Sequence, residues 1–216
     1  MLSNKLKKIF SNASVATICT ALFKKGLKNQ FIQGVAPLNS ALPNMVGLAY
    51  TVRYIPARED LNNIEVFKNP EHPQRLAIEK CPKDYVLIFD SRKDPRAASA
   101  GAILVTRLMV RGCAGVVTDG GFRDSHEIKN LKIPAYHNRP SSPTNLTLHQ
   151  AIDINIPIGC GDVAVWPNDL IVGDNEGVVV IPNEIIKEIS DEVNSMTIYE
   201  DYVIDKIKKG ATIRGL

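Results

Sequence analysis

YVLIFDSR (85–92), AILVTRLMVRG (102–112) and CAGVVTDGG (113–121) decide the fold. The first is a strand, apolar on both faces and therefore central in its sheet. The second is a helix that turns Ile103, Leu104, Leu108 and Met109 inward and stops at Gly112. The third is again a strand. Strand, helix and strand within ~30 residues make a βαβ unit, so residues 85–90 and 115–118 are expected to be parallel neighbours. Between them, SRKDPRAASAG (91–101) reads as a polar loop.

Working outward, KIPAYHNRP (132–140) is a short strand and MVGLAYTVRYIP (45–56) a long one closed by Pro56. GVAPLN (34–39) is a short strand or turn, and AREDLNN (57–63) is polar and exposed. SVATICTALFKKGL (14–27) is a helix with Ser14 as N-cap and Gly26 as stop. Its buried face is Val15, Ile18, Cys19, Leu22 and Phe23. The second half changes character. DINIPIGCGDVAVWPNDLIVGDNEGVVVIP (153–182) holds short strands punctuated by Pro, Gly and Asn-Asp, the pattern of antiparallel β-structure with tight turns. A charged helix follows from Asn183 to Lys209, with a break near Met196. With no repeats and no low-complexity linker, the expectation is one compact α/β domain over residues 1–216, with a helical segment at 1–27 and a terminal helix at 183–209.

Composition narrows the class. At 44% hydrophobic and 23% charged residues, the chain can build an ordinary core. The net charge of +3 is small and the basic residues are spread out, which argues against a nucleic-acid partner. The clusters Lys5-Lys7-Lys8 and Lys206-Lys208-Lys209 read as solvated faces. The four cysteines form no C-x-x-C pair, and Cys19 and Cys113 read as core residues, as in a reduced, cytoplasmic protein. The N-terminus loosely imitates a signal peptide, but Ser11, Asn12, Ser14, Thr17 and Thr20 interrupt it. No apolar run approaches the ~20 residues that cross a membrane. The sequons at Asn12 and Asn145 are read as coincidental.

The chemistry concentrates in GVVTDGGFRDSHE (115–127), a dry strand that ends in charges. In a βαβ unit, ligands sit beyond the carboxyl ends of the parallel strands. The DGGFRD loop and the helix N-terminus at Gly101 converge there, where the amides of Ala102, Ile103 and Leu104 could cradle an anion. Gly101 would let a ligand approach closely. Arg123 and Asp124 are adjacent on a turn and are not expected to pair with each other. One can contact a carboxylate or enolate while the other ligates a hard cation, as a single carboxylate with several waters does for Mg²⁺. Exposed turn ion pairs are the plainer reading of the same dipeptide.

Other side chains carry weaker expectations. His137 and His149 flank a polar surface loop holding Arg139 and Ser141-Ser142, and His72 lies in a plain loop. Asp119 reads as a turn-former capping its own Gly-Gly, and Trp166 as a packing anchor at a turn or subunit contact. Gly159-Cys160-Gly161 is a turn, not a phosphate loop. No glycine-rich loop for S-adenosylmethionine follows a first strand.

GAILVTRLMVRGCAGVVTDGGFRD (101–124), followed by IPIGCGDVAVWPNDLIVGDNEGVVVIP (156–182), resembles the regulator of ribonuclease activity A-like family. That family includes the 4-hydroxy-4-methyl-2-oxoglutarate / 4-carboxy-4-hydroxy-2-oxoadipate aldolases, which also decarboxylate oxaloacetate. The resemblance implies a swivelling β/β/α fold assembled as a homotrimer or hexamer. It implies Asp124 as the Mg²⁺ or Mn²⁺ ligand, Arg123 as the catalytic contact to the pyruvate enolate, and Gly101, Ala102, Ile103 and Leu104 as the binding site of a 2-oxo acid carboxylate. Family regulators that bind ribonuclease E lack the Arg-Asp pair. The aldolases carry an acidic residue where this chain has Ala102; His126 or Glu127 are the substitutes within reach in sequence. A C-terminal Glu of a neighbouring subunit also approaches the aldolase site, and Glu200 is the nearest match here. Three functions follow as expectations: a metal-dependent lyase, a protein-binding regulator of an RNA-degrading enzyme, and a dehydratase or isomerase on a sugar-derived 2-keto acid.

Overall fold

The computed structural model describes residues 2–215. The first half runs α1 (Asn4–Asn12), α2 (Val15–Lys24), β1 (Ala36–Pro37), β2 (Met45–Pro56), α3 (Pro73–Lys80), β3 (Tyr85–Asp90), β4 (Ala98–Ala100) and α4 (Ala102–Val110). It continues with β5 (Gly115–Thr118), β6 (Gly121–Phe122), α5 (Ser125–Lys129), β7 (Ala135–His137) and β8 (Arg139–Pro140). The rest is β9 (His149–Ile154), β10 (Ile158–Cys160), β11 (Val163–Val165), β12 (Leu170–Gly173), β13 (Val178–Ile181) and α6 (Ile186–Lys208).

The main sheet has the order β1-β7-β5-β3-β2-β12-β13, with β9 paired to the far end of β2. The strands β2, β3, β5 and β7 are parallel. The expected neighbours β3 and β5 pair from Val86↔Gly115 to Phe89↔Thr118. Alternation in β3 explains its central place. Leu87 and Phe89 enter a core with Val105, Leu108 and Val116, while Val86 and Ile88 enter another with Val117, Ile171 and Val180. A further apolar cluster joins α1, α2 and α6 to β12 and β13 through Phe10, Ile18, Leu22, Val172, Val179 and Ile189. The second half is antiparallel as its turns implied, in β10–β11 and β12–β13.

Several local expectations are corrected. Ser14 does cap α2, its Oγ accepting the Thr17 N–H at 3.0 Å. Phe23, however, is 61% exposed, because α6 packs on the face formed by Ile18 and Leu22. In α4 the inward residues are Val105 and Leu108, with Leu104 and Met109 partly buried, and Ile103 stands out at 83% exposure. Helix α6 runs unbroken past Met196. Asn62 of the polar segment is buried, its Nδ2 donating to the carbonyls of Leu146 and His149. Cys160 ends β10, and Trp166 is exposed rather than packed within the chain. His72 is buried at the start of α3, a helix the sequence reading did not anticipate, with its ring edge-on to Phe67. His149, which flanks the loop as expected, lies buried at the start of β9, stacked on Tyr54.

The segment read as a polar loop holds the element that builds the site. Ala97 to Ala100 are buried, and β4 joins β6 and β8 in a small parallel sheet. The pairing Ala100↔Phe122 sets the residues that follow, Gly101 and Arg123, side by side.

Candidate active site

Arg123 is fixed to this sheet by its backbone, whose N–H donates to Ala100 O at 3.1 Å. Asp124 then turns into the left-handed region, at φ 54° and ψ 36°, to start α5. For a residue with a Cβ that conformation is uncommon and is tolerated best by Asp and Asn. It swings the carboxylate back toward α4, where Oδ2 accepts the Ala102 N–H at 3.2 Å.

Contrary to expectation, Arg123 and Asp124 do meet, with Nε 3.5 Å from Oδ2. Both side chains remain partly exposed, at 48% and 38%. The amide cradle is also smaller than expected. Ala102 N–H is taken by Asp124, and Leu104 N–H donates to Gly101 O at 3.1 Å. Of the three amides, only that of Ile103 lacks a partner among the described residues. Gly101 serves a different close approach from the one foreseen. A Cβ there would lie 2.7 Å from Asp124 Oδ2 and 2.8 Å from Arg123 Cγ, so the glycine admits the Arg-Asp pair itself.

Gly101, Arg123 and Asp124, but not Ala102, line a cleft of about 330 Å³ with Ile103, Leu104, Phe67, Gln74, Arg75 and Asn145. His126 and Glu127 lie exposed on α5 and do not line it. Glu200 accepts a hydrogen bond from Thr17 Oγ1 at 2.6 Å and packs on α2, away from this chain's own cleft. Phe67, Arg75 and Asn145 were missed in the sequence because they come from segments without periodicity; the one sign that touched Asn145 was its sequon.

A buried polar floor supports the loop. Ser99 Oγ meets Ser91 Oγ at 2.7 Å and Thr118 Oγ1 at 2.5 Å. Asp119 does not cap its own Gly-Gly. Its Oδ1 accepts from Ser91 N–H at 2.7 Å, and its Oδ2 from Lys93 and Gly161 N–H at 3.1 Å each. Burial nonetheless raises its carboxyl to about 6. A Cβ at Gly120 would stand 2.6 Å from Ser91 Cβ, so the turn into β6 needs glycine for space.

A model of the RraA-like family, described as aldolase/RraA, matches residues 15–180, and the chain belongs to that family. A Halalkalibacterium halodurans protein with the provisional name 4-hydroxy-4-methyl-2-oxoglutarate aldolase is 32% identical over 169 residues, covering 78% of this chain and 73% of that one. Legionella pneumophila protein DlpA is 25% identical over 94% of this chain, which spans only 31% of it. The fold is that of Streptomyces coelicolor RraAS2, described as an unusual member of the RNase ES inhibitor RraA protein family. The two superpose with a TM-score of 0.83 over 94% of this chain and 96% of that one, at 24% identity.

Proposed function

We propose that the chain is a divalent-metal-dependent lyase that cleaves a 4-hydroxy-2-oxo acid, or decarboxylates oxaloacetate, through a pyruvate enolate. One observation carries the reading: Arg123 and Asp124 are held together against the first turn of α4 at the wall of a ligand-sized cleft. The aldolase name borne by a relative that matches 78% of this chain supports the same class.

The residues fit a hard cation such as Mg²⁺ or Mn²⁺. Asp124 Oδ2 is engaged by Ala102 and Arg123, whereas Oδ1 has no protein partner among the described residues. No group of three His, Cys, Asp or Glu side chains surrounds it among those residues, which leaves one carboxylate to hold an ion otherwise ligated by substrate and water. Such an ion, when bound, supplies Lewis acidity toward a 2-oxo acid. Arg123 contributes a fixed positive charge to the oxygen that turns anionic as the C–C bond breaks. The Ile103 N–H and the helix N-terminus favour the substrate carboxylate. Ile103 and Leu104 give that end of the cleft an apolar lining.

The test is pyruvate release from oxaloacetate and from 4-hydroxy-2-oxo acids with Mg²⁺ or Mn²⁺. Turnover is expected to require the metal and to fall at least about 100-fold in Asp124→Ala. Unchanged turnover in that variant would exclude the mechanism. A second reading, a protein-binding regulator, draws on the exposed Ile198, Tyr199, Tyr202 and Ile204 of α6. Binding to a ribonuclease that survives both chelator and Asp124→Ala would favour it.

A further inference from the structure

A second wall of the cleft carries donors that the fold leaves unused. We infer that Asn145 and Arg75 determine specificity by receiving a second carboxylate of the substrate, distal to its 2-oxo acid end; this rests on the reading of Arg123 and Asp124 given above.

Asn145 is 3% exposed yet lines the cleft. Its Oδ1 faces two donors, Gln74 Nε2 and Thr144 Oγ1, each at 3.3 Å. The Gln74 amide N–H, a donor only, assigns that end of the Asn145 amide as the oxygen. Gln74 is itself locked by donating to Ser99 O at 2.7 Å. Asn145 Nδ2 is left buried without a partner among the described residues. A buried donor in that condition is destabilising unless something completes it, and an acceptor oxygen in the cleft would do so. Arg75 lies nearby on the first turn of α3, and its guanidinium carbon stands 4.6 Å above the Phe67 ring. That stacking orients the guanidinium plane. Among the described residues Arg75 has no carboxylate partner.

Charge points the same way. Among the described residues, the charged side chains lining the cleft are Arg75, Arg123 and Asp124, two cationic and one anionic. A substrate with one carboxylate would leave the Arg75 end unanswered. A dicarboxylate spans both ends, and a guanidinium beside an amide N–H is a good receptor for it.

Binding of pyruvate and of unreactive 2-oxoglutarate, measured calorimetrically in Mg²⁺, tests the inference. Wild type is expected to favour 2-oxoglutarate by at least about tenfold. Arg75→Met keeps an aliphatic stem over Phe67, and Asn145→Asp keeps the acceptor that Gln74 and Thr144 use. Each should remove most of that preference and change pyruvate affinity by less than about twofold. Parallel changes for both ligands, or none, would overturn the assignment. Arg123→Met separates the two levels of the argument. If it weakens both ligands while Arg75→Met and Asn145→Asp are unselective, only the distal site is wrong. If it weakens neither, or wild type binds neither, the reading of Arg123 and Asp124 fails as well.

Discussion

Asp124 reaches back across the loop to Ala102, its Oδ2 accepting that residue's N–H at 3.2 Å. The contact ties the turn after β6 to the first turn of α4, two segments 22 residues apart in sequence. It also orients the carboxylate, leaving one oxygen bound to the protein and the other without a partner among the described residues.

Gly101 is what permits this closure. Its φ of −128° is ordinary extended backbone, so space rather than conformation excludes a side chain. With Asp124 Oδ2 and Arg123 Cγ both under 3.0 Å from the position of a Cβ, Gly101→Ala must move the pair or the glycine backbone away from it. A displacement of roughly 1 Å at reacting groups lowers rates by about 100-fold. Pyruvate release should therefore collapse in this variant while its melting temperature moves by only a few degrees. Retained turnover would show that the closure is dispensable.

Ala102 offers a gain-of-function test. The first turn of α4 contains no acidic residue, and among the described residues Asp124 is the one carboxylate lining the cleft. Ala102→Asp places a second carboxylate one residue beyond Gly101, where it can hold a metal-bound water. Groups of that kind shift metal affinity by about 10- to 100-fold. Titration of Mn²⁺ followed by electron paramagnetic resonance should show tighter binding than wild type; weaker binding would contradict the placement of the ion at Asp124.

What the sequence disclosed depended on pattern length. Strand β3 was legible because Tyr85 to Phe89 run apolar on both faces, and α4 because Gly112 marks its end at φ 77°. Strand β4 was not. Ala-Ser-Ala has no β-branched residue and sits just beyond Lys93, Asp94 and Arg96, so burial by β6 and β8 overrides a local signal for a loop. Ile103 followed the helical period yet lines the cleft and is exposed rather than buried. The Arg-Asp dipeptide stood out in the sequence, but its internal contact depends on the left-handed Asp124, which no spacing reveals.

His137 gives the fold a dependence on pH. Its ring stacks on Phe122 with centroids 5.7 Å apart, and burial drives its pKa down to about 4. The same side chain titrates near 6.5 in an unfolded chain. Between those values the unfolded chain takes up a proton that the folded chain refuses, so stability falls as the pH drops from about 6.5 toward 4. Asp119 acts in the opposite sense. Its raised carboxyl favours the folded state at low pH, and that advantage is lost as the pH rises through about 6. His137→Phe removes the first effect and keeps a ring against Phe122. Relative to wild type it should be more stable at pH 4.5 than at pH 7.5, by a margin on the order of 2 kcal/mol. Urea unfolding at the two pH values checks this; an equal difference at both would place the sensitivity elsewhere.

Glu200 separates a structural role from a catalytic one. Its Oε2 accepts from the buried Thr17 Oγ1 at 2.6 Å, which clamps the later turns of α6 onto α2. Thr17 also shares a hydrogen bond with Ser14 Oγ at 2.8 Å, so the clamp reaches the cap of α2. Deleting either partner should lower stability by ~1 kcal/mol, the usual net value of such a bond. Thr17→Val and Glu200→Ala share one interaction, so their double variant should be destabilised by less than the sum. Turnover per folded molecule should match wild type in all three, because Glu200 lies outside its own chain's cleft. If Glu200→Ala instead abolished turnover while Thr17→Val spared it at equal stability, the carboxylate would be serving the cleft of a neighbouring subunit.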